Sequence, residues 1–166
     1  MVLSKEFNII PILLKMQTKK VFLQFVFTFF FTIFSFQSIF SQADDVKNAM
    51  GDTSVKVQGK LQEENGKFRY DYHDIYQEDS LAKDLQASGY HGGGPSWLGI
   101  IYGAFKLCGN DLIDNLEMKV EVTGVTFWST NKEDLEKIGR VVSLIKSNDA
   151  VLQASIDKAT ELDIMQ

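Results

Sequence analysis

The sequence has a single cysteine, two histidines and no excess of positive charge. With Cys108 alone, an intrachain disulfide is excluded. On an apolar stripe at helical spacing, Cys108 reads as a small core residue. Asp71, His73, Asp74 and His91 are the available metal ligands, but with no cysteine pair they give none of the usual zinc spacings. Asp71, Asp74, Glu78 and Asp79 do not follow the calcium-loop pattern either, so Asp71–Asp79 reads as a solvated acidic strip. No G-x-S-x-G string occurs, and no histidine follows His91 to serve as a base. The string His91-Gly92-Gly93-Gly94 matches one esterase oxyanion-hole motif, yet the rest of that machinery is missing. No Lys-Ser or Lys-Thr follows the glycines, which excludes a phosphate loop. No catalytic set, metal site or cofactor site assembles from these residues.

Apolar residues are concentrated at the N-terminus. Nine of the 13 phenylalanines lie between Val21 and Phe40, preceded by Lys19 and Lys20 and closed by Ser41. A basic stretch, an apolar run and a small residue form the pattern of a secretory signal peptide. Residues 1–41 are therefore expected to be removed between Ser41 and Gln42, with Met16 as the expected true start. An uncleaved anchor is the alternative, because 20 apolar residues just span a bilayer. Removing Lys5, Lys15, Lys19, Lys20 and Glu6 from 17 basic and 22 acidic residues leaves 13 and 21, a net charge of −8. Such a surface argues against nucleic acid or an anionic membrane as partner and permits a basic protein.

Residues 42–166 have the length of one domain. Asp44–Gly51 is a polar lead-in or brief helix. Val55, Val57 and Leu61, then Phe68, Tyr70 and Tyr72, alternate with polar residues around Asn65-Gly66, which predicts a hairpin. His73 falls on its polar face beside Arg69 and Asp71. A short helix, Leu81–Ser88, capped by Asp79 or Ser80, should turn Leu81, Leu85 and Ala82 inward and stop at Gly89.

The core helix follows, at Leu98–Cys108. Its stripe of Trp97, Ile100, Ile101, Ala104, Phe105 and Cys108 has helical spacing, and Leu98, Tyr102 and Leu107 imply burial nearly all round. Gly99 and Gly103 let another element pack close. In a second hairpin, a two-residue Thr123-Gly124 turn sets Val122 against Val125, Val120 against Phe127 and Met118 against Ser129 as the buried face. Trp128 is then placed on the polar face opposite Lys119. Helix Lys132–Lys146 turns Leu135, Ile138, Val142 and Ile145 inward; a last helix from Asn148 or Asp149 turns in Leu152, Ile156 and Ala159. The order β-β-α-α-β-β-α-α predicts an α+β domain, with helices on one face of an antiparallel sheet.

Gly89-Tyr90, Gly92-Gly93-Gly94 and Trp97 resemble, in order and spacing, the loop of the immunity protein 51 family of bacterial polymorphic-toxin systems. The likeness extends over roughly Phe68 to Glu161, through the strand pair at Met118–Ser129 and two closing helices. Gly93 and Pro95 depart from it, standing where the family has Asn and an aromatic. The resemblance implies a non-catalytic α+β protein that binds and neutralises a cognate toxin, with Gly89, Tyr90, Gly92, Gly94 and Trp97 as a structural loop. Export to the periplasm or beyond then implies a toxin acting in the envelope. The partner surface expected from the residues is the acidic strip Asp71, Asp74, Glu78 and Asp79 with Trp128 as anchor. The alternatives are a secreted hydrolase using His91 and its glycine loop, or an envelope structural or adaptor domain.

Overall fold

A computed structural model of the chain describes residues 40–73 and 80–166. The expected signal peptide lies outside the described residues except for its last two positions, and so do Asp74, Glu78 and Asp79. No helix among the described residues is long and apolar enough to cross a membrane.

The architecture is α+β. Helix α1 covers residues 40–51. It is followed by β1 (Lys60–Glu64), β2 (Lys67–Tyr72), α2 (Ser80–Ala87) and α3 (Gly94–Leu107). A 3-10 turn (Ile113–Asn115) leads to β3 (Glu117–Glu121), β4 (Gly124–Ser129), α4 (Lys132–Ser147) and α5 (Asp149–Glu161). The antiparallel sheet runs β1-β2-β4-β3. After α1, the element order is the one expected.

The first hairpin turns at Asn65-Gly66, both at positive φ, the geometry whose twist matches the flanking strands. Its first strand begins at Lys60 instead of Val55. Gln58 N–H donates to the Gly139 carbonyl of α4, and the Tyr70 hydroxyl donates to the Gln58 carbonyl. The segment around Val57 is thereby drawn across the helix layer rather than along the sheet. Burial holds the Tyr70 phenol far above its usual pKa.

The second hairpin corrects the expected register. Met118 faces Phe127, Val120 faces Val125 and Glu121 faces Gly124, so Val122-Thr123 forms the turn. A slip of two preserves the faces, and Val125 and Phe127 are fully buried. Met118, Val120 and Val122 are exposed nonetheless, because β3 is the sheet edge.

Helix α3 fills the centre. Trp97, Ile100, Ile101, Ala104 and Phe105 are fully buried, whereas Cys108 is half-buried. Burial is not complete around the helix, for Leu98, Tyr102 and Leu107 are half-exposed. Lys106 binds Asp111 and Asp114, and the Tyr102 hydroxyl also donates to Asp114, tying this wetter side to the 3-10 turn. Pro95 sits in the first turn, so the helix starts at Gly94, before the expected Leu98. Gly99 and Gly103 do admit a neighbour: a Cβ on Gly103 would lie 2.1 Å from the Ser155 carbonyl of α5, and one on Gly99 2.9 Å from that of Ile164.

Asn131 caps α4 through the Glu133 N–H, and Asn148 caps α5 through those of Ala150 and Val151. Leu135, Ile138, Val142 and Ile145 are buried as expected. In α5 the inward stripe is Val151, Ser155, Ile156 and Ala159, while Leu152 is half-buried. The close approach at Gly103 explains the rotation, since it demands the small Ser155 and Ala159 opposite it. Helix α1 is more than a lead-in: Val46, Ala49 and Met50 are buried, and buried Arg140 of α4 donates twice to the Met50 carbonyl, at 2.8 and 3.2 Å.

Candidate functional site

The glycine loop is built as a joint. Gly89 takes φ +91°, Gly89 N–H donates to Gln86 and Tyr90 N–H to Leu85, the paired bonds that end α2. Gly92 N–H donates to the Ser96 hydroxyl at 2.8 Å, Gly93 N–H to His91 Nδ1 at 3.2 Å, and Gly94 N–H to the Val122 carbonyl at 3.1 Å. The Ser96 hydroxyl itself donates to the Gln166 carbonyl. A Cβ on Gly94 would lie 2.0 Å from the Glu121 carbonyl and 2.2 Å from that of Gly124. All three amides that an oxyanion hole would need are engaged. Tyr90 is half-buried, and Trp97 is fully buried with its ring edge-on to Tyr72, centroids 4.8 Å apart.

The other candidates meet on the outer face of the sheet. Strand alternation sends Tyr70 and Tyr72 into the core and Arg69, Asp71 and His73 outward. Antiparallel register then creates two rows: Gln62, Arg69, Trp128 and Glu117 in one, Lys60, Asp71, Thr126 and Lys119 in the other. Trp128 therefore stands between Arg69 and Glu117, not opposite Lys119. It is half-buried, with the Arg69 guanidinium 5.7 Å from its ring centroid.

Asp71 departs from the solvated strip expected for it. It is 8% exposed, and its Oδ1 accepts from Arg69 Nε at 2.9 Å and from the Thr126 hydroxyl at 2.8 Å. With that proton committed, Thr126 Oγ1 accepts from His73 Nε2 at 3.0 Å. His73 Nδ1 lies 3.9 Å from Glu121, and the ring fits because residue 124 is glycine: a Cβ there would lie 2.6 Å from Nδ1. Hydrogen bonding to Asp71 raises the Arg69 pKa, and Lys119 holds the Glu121 carboxyl below its usual range. Beside this network opens a groove of about 570 Å³ lined by Gln58, Gly59, Lys60, Arg69, Asp71, Tyr72 and His73.

Chemically, the hydroxyl–imidazole–carboxylate contact is a closed network. Thr126 is 2% exposed and its hydroxyl donates to Asp71, so it offers no accessible nucleophile. Among the described residues no group of three or more His, Cys, Asp or Glu is placed to hold a metal. What the face presents is an ordered arginine over a tryptophan, framed by charges of both signs. Sequence reasoning placed Asp71, with Arg69 and His73 beside it, and Trp128 on polar strand faces, but missed Thr126 as the partner of Asp71 and Arg69 as that of Trp128; the alternation identified the face, and only the β2–β4 pairing joins the residues. Comparison with known proteins returns no matching family model, no matching curated protein and no matching solved structure.

Proposed function

We propose that this chain is a non-catalytic exported protein that binds and neutralises a toxin, holding it on the outer face of the sheet. The observation that carries the reading is the Trp128–Arg69 pair on an otherwise polar face. Tryptophan and arginine are the residues most often found at the energetic centre of protein interfaces. Here the arginine is pre-ordered by Asp71 and by Glu64 at 3.3 Å, which lowers the entropy lost on binding. The glycine loop, with its amides bonded internally, supports a structural role for the immunity-like motif. The net charge of −8 beyond residue 41 suits a basic toxin surface. The apolar run before Ser41 supports a toxin that acts in the cell envelope.

The test is survival. A toxin domain encoded beside this chain is co-expressed in a sensitive bacterium with the parent or with Arg69→Ala/Trp128→Ala. Protection by the parent and its loss in the double variant, at equal folded level by circular dichroism, is the expected result. Protection that does not depend on Arg69 and Trp128 would reject this surface. Failure of the parent against every neighbouring toxin domain would reject the function.

A further inference from the structure

The sheet ends on an apolar edge. β3 is outermost, and Met118, Val120 and Val122 are 37%, 38% and 66% exposed. Met118 and Val120 stand on the same side as buried Phe127 and Val125, their cross-strand neighbours. The outward backbone groups of an edge strand are a template for another strand, and soluble proteins generally blunt such edges. The opposite edge is blunted: β1, Lys60-Leu61-Gln62-Glu63-Glu64, shows no large exposed apolar side chain.

We propose that β3 pairs antiparallel with β3 of a second copy of this chain, about a two-fold axis at Val120. The strand reads Glu117-Met118-Lys119-Val120-Glu121 and is followed by Val122. An axis at Val120 places Lys119 opposite Glu121 of the second copy, and Glu121 opposite its Lys119. Val120 then meets its own equivalent, and Met118 meets Val122 on both sides. Each exposed apolar residue of the edge finds another, and both polar pairs are opposite in sign. Moving the axis to Lys119 sets Lys119 against itself and Glu117 against Glu121, like charges directly opposed. Moving it to Met118 pairs Val120 with Leu116, which is already packed on its own core, and leaves Val122 unmatched. Within one chain Lys119 and Glu121 lie 2.6 Å apart, so the pairing draws four charges of alternating sign together on the outer face. The interface is isologous, each copy contributing the same strand, and it closes the open edge of both sheets. It leaves Trp128 and Arg69 at the outer face, one and two strands away.

Sedimentation velocity over a concentration series tests the pairing, using the protein as it accumulates in an expressing bacterium. A reversible monomer–dimer equilibrium is expected. Lys119→Glu makes both cross-strand pairs like-charged and should weaken dimerisation on the order of tenfold. Adding Glu121→Lys to it should restore the parent affinity. Val120→Cys in a Cys108→Ser background should form a disulfide-linked dimer, because directly opposed antiparallel residues lie within disulfide reach. Gln62→Cys in the same background, on the other edge, should not. A monomer at every concentration, a dimer indifferent to Lys119→Glu, or a charge swap that fails to restore association would overturn the proposal. Should hydrogen exchange show β3 protected only by a different protein while the chain stays monomeric, self-pairing is likewise refuted.

Discussion

Replacing Gly103 with alanine sets two known effects against each other. In an exposed helix the change gains about 1 kcal/mol of propensity. At Gly103 the new Cβ would lie 2.1 Å from the Ser155 carbonyl, 3.0 Å from the Ala159 amide and 3.1 Å from the Ala159 Cβ. No rotamer relieves a contact between Cβ and backbone. Helix α5 must retreat by more than an ångström to reach the 3.4 Å of ordinary contact, and Val151, Ser155 and Ala159 are all fully buried along that seam. Overpacking of this kind costs roughly 3 kcal/mol at the upper end of its range, so the net loss is about 2 kcal/mol. Gly51→Ala is the control: it ends α1 with nothing within 4 Å of its Cβ, and should be neutral or stabilising by up to about 1 kcal/mol. Urea unfolding reads both variants as a change of midpoint at constant slope. A Gly103→Ala protein as stable as the parent would refute the packing argument.

Arg140→Ala should cost about 1–3 kcal/mol in the same assay, because it leaves the buried-side Met50 carbonyl without its donor. Methionine at position 140 would restore apolar packing but not that bond, so Arg140→Met should recover only part of the loss. Bonds from Lys106 and then Tyr102 hold the Asp114 carboxyl below its ordinary value of 3.8. A depressed folded-state pKa means the contribution is present above that value and is lost as pH falls through the folded one. Stability should therefore decline with acid below about pH 4, and Asp114→Asn should flatten that limb of the denaturation curve. An acid limb unchanged in Asp114→Asn would assign it to other carboxylates, such as Glu136, held low by Lys132.

Local chemistry carried most of the fold. Asn65-Gly66, the caps Asn131 and Asn148, and the stripe from Trp97 to Phe105 each act within a few residues, and each was readable. What went astray was set by distant partners. Val55 and Val57 have strand character, but the bond from Gln58 to Gly139 belongs to α4. The turn at Val122-Thr123 looked like Thr123-Gly124, since Gly124 usually signals a turn. Its glycine instead makes room for the His73 ring and the Tyr72 carbonyl. Leu152 fits the helical period as well as Ser155, and only the glycine surface of α3 selects the smaller face. The candidate site divides in the same way. Alternation along β2 revealed Arg69, Asp71 and His73 on one side, whereas Thr126 and the stacking on Trp128 need the β2–β4 register.

Calorimetric titration of a toxin domain encoded beside this chain into the parent, Trp128→Ala and His91→Ala proteins tests the proposed binding face most directly. The outer-face account predicts that Trp128→Ala weakens binding by at least about 30-fold, the scale of an interface hot spot, and that His91→Ala binds like the parent. Undiminished binding by Trp128→Ala, together with ester or amide turnover by the parent that disappears in His91→Ala, would contradict it and move the working site to the glycine loop.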